Sequence, residues 1–179
     1  CNANTAFAAF VLALFVLQGC LSPTNSEDRE GLLQNGDPKE FERPDSDEYE
    51  CFDYDNWNRC FITYIPESVN ETSRAPLIVE LHGWAVSAPD TRNHTEVTQL
   101  ADQVGAIVVH AEGILVDNST ITMGGNEESW NAGYCCGDAV ALEIDDVGYL
   151  REVIRLTLER YPVDENRVYL TGWSNGCMM

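Results

Sequence analysis

From Arg59 onward the chain alternates short apolar runs with longer stretches of helical spacing. Arg59-Cys60-Phe61-Ile62-Thr63-Tyr64-Ile65 is rich in β-branched and aromatic residues and stops at Pro66, which predicts a strand. Pro76 to Leu81 is almost continuously apolar, as expected of a strand buried on both faces. Between Thr95 and Val104, Val97, Leu100, Ala101 and Val104 recur at helical spacing, and Gly105 supplies the stop. Ala106 to Gly113 reads as another buried strand, and Ile114 to Glu143 as a long loop. Asp145 and Asp146 then open a helix to Arg160, with Val147, Leu150, Ile154 and Leu158 on one stripe. Acidic groups at that start suit the helix dipole. Asn166 to Gly172 forms the last strand. This alternation predicts an α/β fold with a mainly parallel sheet.

The residues before Arg59 follow other patterns. Ala6 to Leu17 is an unbroken apolar run that rises only about 18 Å as a helix, short of the ~30 Å hydrocarbon core of a bilayer. It reads as the apolar part of an export signal over residues 1–20, not as a transmembrane span. Leu17-Gln18-Gly19-Cys20 resembles a bacterial lipoprotein cleavage box, with Cys20 as the lipidated residue and a cell-surface lipoprotein as the alternative to a freely secreted protein. From Glu27 to Asp55, acidic residues dominate and Leu32 and Leu33 are almost the only aliphatic ones. Such a segment buries too little surface to offset its ordering entropy, so residues 21–58 read as a solvated linker and 59–179 as the folded domain.

Charge and cysteine content narrow the partners. With 30 Asp and Glu against 10 Lys and Arg, the net charge is -20, which disfavours nucleic acid as a partner. Cys51 and Cys60 flank a polar loop and are placed to close a small disulfide, in keeping with export. Cys135, Cys136 and Cys177 complete the cysteines beyond the leader. Neither Cys-x-x-Cys nor His-x-x-x-His spacing occurs, so no metal site is expected and no cofactor is implied. Three sequons, at Asn70, Asn93 and Asn118, are compatible with glycosylation.

The chemistry concentrates in Gly172-Trp173-Ser174-Asn175-Gly176, directly after the last strand. A serine held at a sharp strand-to-helix turn has its hydroxyl lifted from the sheet edge, and side chains two places before and after it would collide with neighbouring elements. Gly172 and Gly176 meet that demand, Ser174 is the candidate nucleophile, and the Asn175 N–H is aimed at a forming oxyanion. Glu80-Leu81-His82-Gly83-Trp84 ends an earlier buried strand and offers the Trp84 N–H as the second donor. His82 then shapes the loop and is not the base.

Leu77 to Trp84, Ser129 to Ala139, Asp145 to Leu150 and Tyr161 to Met179, in that order, resemble the secreted esterases grouped as polyhydroxybutyrate depolymerase and feruloyl-esterase-like proteins. The resemblance runs from about Arg59 to Met179. It implies an α/β-hydrolase fold and a Ser-Asp-His triad that hydrolyses carboxylic esters, of which only Ser174 carries over. Members often have glycine where this chain has Cys177, which leaves a disulfide from Cys177 to Cys135 or Cys136 open. In this fold the triad runs Ser, then Asp or Glu, then His, yet His82, His94 and His110 all precede Ser174. The expectation is therefore an esterase sequence truncated after its nucleophile elbow, inactive as a 179-residue chain. The substrate is an ester, polymeric in one version: feruloyl or acetyl esters of plant polysaccharide, or poly(3-hydroxybutyrate). A serine peptidase on the same fold and a non-catalytic exported binding domain are the alternatives.

Overall fold

A computed structural model describes residues 22–23, 48–116 and 127–179. The leader with Cys20, most of the acidic segment and the Asn118 sequon lie outside these residues. The described elements are strands β1 (Ser22–Pro23), β2 (Tyr49–Tyr54), β3 (Trp57–Tyr64), β4 (Ala75–Leu81), β5 (Ile107–Ala111) and β6 (Val163–Gly172). Helices α1 (Ala88–His94), α2 (Val97–Val104), α3 (Gly137–Ala141), α4 (Asp146–Arg160) and α5 (Asn175–Met178) join them. The strands form one sheet in the order β1-β6-β4-β5-β3-β2. Its centre is parallel, β4 pairing with both β5 and β6, while β3 and β1 run against their neighbours.

The apolar runs explain the layering. β5 is buried throughout and β4 nearly so, because each is covered on both faces. On one face Leu77, Val79, Leu81, Ile107 and Val109 pack against Tyr149, Leu150, Val153 and Ile154 of α4. On the other, Ile78 and Val108 meet Val97 and Ala101 of α2. Gly105 ends α2 in the left-handed conformation, φ 66°, as a C-terminal glycine does.

Several local expectations change, and the expected Ile114 to Glu143 loop holds the short helix α3. Ordered sheet begins before Arg59: β2 lies inside the acidic stretch and pairs with β3 throughout its length. Its inward residues have partners that offset the polar sequence. Phe52 stacks on Tyr149 at 5.8 Å, and Glu50 accepts a hydrogen bond from Thr63 Oγ1 at 2.7 Å and pairs with Arg160. The Cys51–Cys60 disulfide forms between register partners. Along α4 the buried stripe is Tyr149, Leu150, Val153, Ile154 and Thr157, and Val147 faces solvent. Cys135 and Cys136 are linked to each other, so neither pairs with Cys177, which is itself disulfide-bonded.

Candidate functional site

Leu81 and Gly172 are register partners at the carboxyl ends of β4 and β6. The chain leaves both strands there, so His82-Gly83-Trp84 and Trp173-Ser174-Asn175 emerge side by side. Ligands in open α/β sheets bind at this end of the strands. Ser174 has φ 51° and ψ -123°, a sparsely populated conformation that costs a non-glycine residue about 1–3 kcal/mol. Its side chain is exposed. A Cβ on Gly176 would lie 2.3 Å from the His82 carbonyl oxygen, and one on Gly172 would lie 2.8 Å from the Gly176 carbonyl carbon. Both glycines are therefore required sterically. The first turn of α5 is closed by Cys177 and Met178 N–H groups donating to the Ser174 carbonyl at 3.1 Å.

The two expected oxyanion donors lie on these adjoining segments. Among the described residues, neither the Trp84 N–H nor the Asn175 N–H is used in a hydrogen bond. The next amide, Ala85 N–H, donates to the Glu128 carbonyl at 2.9 Å and ties the Trp84 segment to the loop before Trp130. Trp84 and Trp173 are 39% and 49% exposed, so both indoles face solvent beside the elbow and neither is core. The Trp173 ring also stands 3.1 Å from where a Gly83 Cβ would be.

The histidines are occupied elsewhere. His82 is fully buried, with Nδ1 2.7 Å from the Gly83 carbonyl and Nε2 accepting from Gly113 N–H at 2.7 Å. It braces its own loop, as expected. His110 Nδ1 lies 2.7 Å from Glu80 Oε2 inside the sheet. His94 Nδ1 meets the Asp90 carbonyl at 2.6 Å on α1.

Asp145 and Asp146 divide their labour differently from the helix-start reading. Asp145 caps α4, accepting Gly148 N–H at 2.9 Å and the Tyr54 hydroxyl at 2.8 Å. These two bonds, the backbone one first, hold its carboxyl below the usual carboxylate range. Asp146 is buried and ion-paired with Arg59 at 2.7 Å, and its other oxygen accepts Asn131 N–H at 2.7 Å. Arg59 lies over the Tyr149 ring at 3.8 Å.

Sequence reasoning missed what the Asn175 side chain and Trp130 do. Asn175 is fully buried: Oδ1 accepts Trp130 N–H at 2.8 Å, while Nδ2 donates to the Trp130 carbonyl at 3.1 Å and the Cys135 carbonyl at 2.9 Å. Trp130 Nε1 donates to the His82 carbonyl at 3.0 Å. An amide side chain placed directly after the serine of a glycine elbow was the signal available for Asn175.

No protein-family model matches the chain. It is similar to feruloyl esterase B of Piromyces equi, 30% identical over 118 residues, 66% of this chain and 20% of that protein. It is also similar to feruloyl esterase B of Neurospora crassa, 27% identical over 117 residues, 65% of this chain and 36% of that one. A solved complex of pOPH with pNPB superposes with a TM-score of 0.57 at 19% identity, over 82% of this chain and 48% of the other. The fold is an α/β-hydrolase fold. Both curated relatives are esterases, and this chain spans 20% and 36% of their lengths. Among the described residues no helix is long and apolar enough to cross a membrane, and no cluster of His, Cys, Asp and Glu could hold a metal ion.

Proposed function

We propose that the chain supplies the nucleophile and both oxyanion donors of an exported serine esterase. The observation that carries this reading is Ser174 itself. An exposed hydroxyl stands on a strained backbone at the carboxyl end of β6, between two glycines that allow no side chain. Strain of this kind persists where the surroundings over-determine it and function uses it.

The reaction is acyl transfer. A base takes the Ser174 proton, Oγ attacks the ester carbonyl, and the N–H groups of Trp84 and Asn175 receive the oxyanion. Collapse expels the alcohol, and water then hydrolyses the acyl-enzyme. The base is a histidine other than His82, His94 and His110, each of which is engaged elsewhere, and chain order in this fold puts the base after the nucleophile. The exposed Trp84 and Trp173 rings favour a planar aromatic acyl group such as ferulate over acetyl or poly(3-hydroxybutyrate) esters. The cross-strand Cys51–Cys60 disulfide supports export to an oxidising compartment, with a cell-surface lipoprotein anchored at Cys20 as the alternative to a freely secreted protein.

The test compares methyl ferulate, p-nitrophenyl acetate and a peptide anilide as substrates of the complete protein and its Ser174→Ala variant. The proposal expects both esters to be hydrolysed, the anilide to be untouched, and Ser174→Ala to lose about 10⁴-fold or more in kcat. Ester turnover that survives Ser174→Ala contradicts it.

A further inference from the structure

We infer that Trp130 is a positioning residue that fixes the two oxyanion donors relative to one another. The inference rests on the reading of Ser174, Trp84 and Asn175 as a hydrolase site.

Trp130 touches both donor segments through different atoms. Its peptide N–H and carbonyl make a two-way clasp with the Asn175 side chain, at 2.8 and 3.1 Å. Its indole Nε1–H reaches the other way to the His82 carbonyl at 3.0 Å. The Trp84 N–H sits on the very next peptide, with only the Gly83 Cα between them. A glycine imposes little backbone preference of its own, so the direction of the Trp84 N–H has to be set from outside. His82 Nδ1 holds the Gly83 carbonyl of that same peptide at 2.7 Å, and the indole bond fixes the His82 carbonyl one peptide earlier, so the two together set it. Ala85 N–H on the Glu128 carbonyl secures the far side of the same turn.

The clasp is itself anchored. Ser129 and Ile114 exchange hydrogen bonds at 3.0 Å in each direction. Asn131 N–H is held by Asp146 at 2.7 Å. The Trp130 ring is fully buried between His82, at 5.0 Å, and Tyr149, at 6.3 Å. Packing alone would accept any aromatic ring here. The indole N–H is the part that packing does not require, and it is the part aimed at a donor segment.

The experiment uses the complete protein with Trp130→Phe, which keeps a buried ring and removes the N–H. Tyr149→Phe is the packing control, since it removes the hydroxyl bond to the Cys60 carbonyl at 2.6 Å on a ring that touches neither donor. Steady-state turnover of an aryl ester and the melting temperature are read together. Trp130→Phe should lower kcat about tenfold or more with KM within about twofold, a smaller loss than deleting a donor outright. Tyr149→Phe should lower the melting temperature and leave kcat unchanged. If Trp130→Phe does not fold, benzothienylalanine at position 130 removes the N–H at constant shape and should give the same kcat loss. Full kcat in either Trp130 variant overturns the inference. When Ser174→Ala abolishes turnover and the Trp130 variants do not, only the inference falls. A wild type without turnover, or turnover that survives Ser174→Ala, removes the site reading and the inference with it.

Discussion

Gly176→Ala is the perturbation whose consequence the coordinates fix most tightly. The new Cβ would stand 2.3 Å from the His82 carbonyl oxygen, 2.4 Å from the Leu81 carbonyl oxygen and 2.7 Å from the Leu81 carbonyl carbon. All three atoms are backbone, so no rotamer change relieves the contact. Bringing the shortest to a tolerable 3.0 Å requires a separation of at least about 0.7 Å. β4 cannot yield, because Leu81 is paired with Ala111 on one side and Gly172 on the other. The displacement therefore opens between the start of α5 and the end of β4, the segments that carry Asn175 and Trp84. Overpacking of this kind costs about 1–3 kcal/mol in stability, and misplacing catalytic groups by about 1 Å costs about 10²-fold in rate. The assay is kcat/KM for an aryl ester alongside a urea unfolding midpoint. Gly105→Ala is the control: it strains a left-handed cap at φ 66°, far along the chain from the elbow, with only Ser68 Oγ nearby at 3.6 Å. Both variants should lose stability, and Gly176→Ala alone should lose about 100-fold in activity. Activity of Gly176→Ala within a fewfold of wild type, or an equal loss in Gly105→Ala, refutes the steric reasoning.

Other consequences follow from the supporting contacts. Asp146→Ala leaves Arg59 buried without its partner and should destabilise the fold by about 3–5 kcal/mol, measured by urea unfolding. Asp145→Ala removes the cap of α4 and should cost about 1 kcal/mol near neutral pH. Because the folded state holds the Asp145 carboxyl below its ordinary value, that stabilisation is present above the unfolded pKa and lost as pH falls through the folded one. The gap between wild type and Asp145→Ala should close as the medium is acidified past the carboxylate range. The 179-residue chain alone should not turn over p-nitrophenyl acetate, since each of its histidines is bonded away from Ser174; turnover that Ser174→Ala removes would contradict this.

The parts that were legible in the sequence are those where one physical demand dominates. Burial on both faces leaves continuous apolar runs, which made β4 and β5 readable. Close backbone approach admits only glycine, which made Gly172 and Gly176 readable. β2 was hidden because its inward positions include half-buried Glu50, which is held by Thr63 on the adjoining strand and by Arg160, far away in sequence. α1 is too short for a period to emerge, with only Ala88 and Thr91 buried. Its start was nevertheless written locally: Ser87 accepts Asp90 N–H, and proline sits in the first turn. Asp146 looks like any acidic helix start, and only the fold reveals Arg59 beneath it. Trp130 lies in one of the stretches that carry the family resemblance, but its role was not legible there, since two of its bonds to the site come from its own peptide groups.

The central claim is that the Ser174 oxygen becomes bonded to the substrate's acyl carbon. It is tested most directly by treating the complete protein with diethyl p-nitrophenyl phosphate and mapping the adduct by peptide mass spectrometry. The account predicts one diethylphosphoryl group per chain, on Ser174, with ester turnover lost in step with labelling. A label on another residue, or turnover that continues once Ser174 is fully modified, would contradict it.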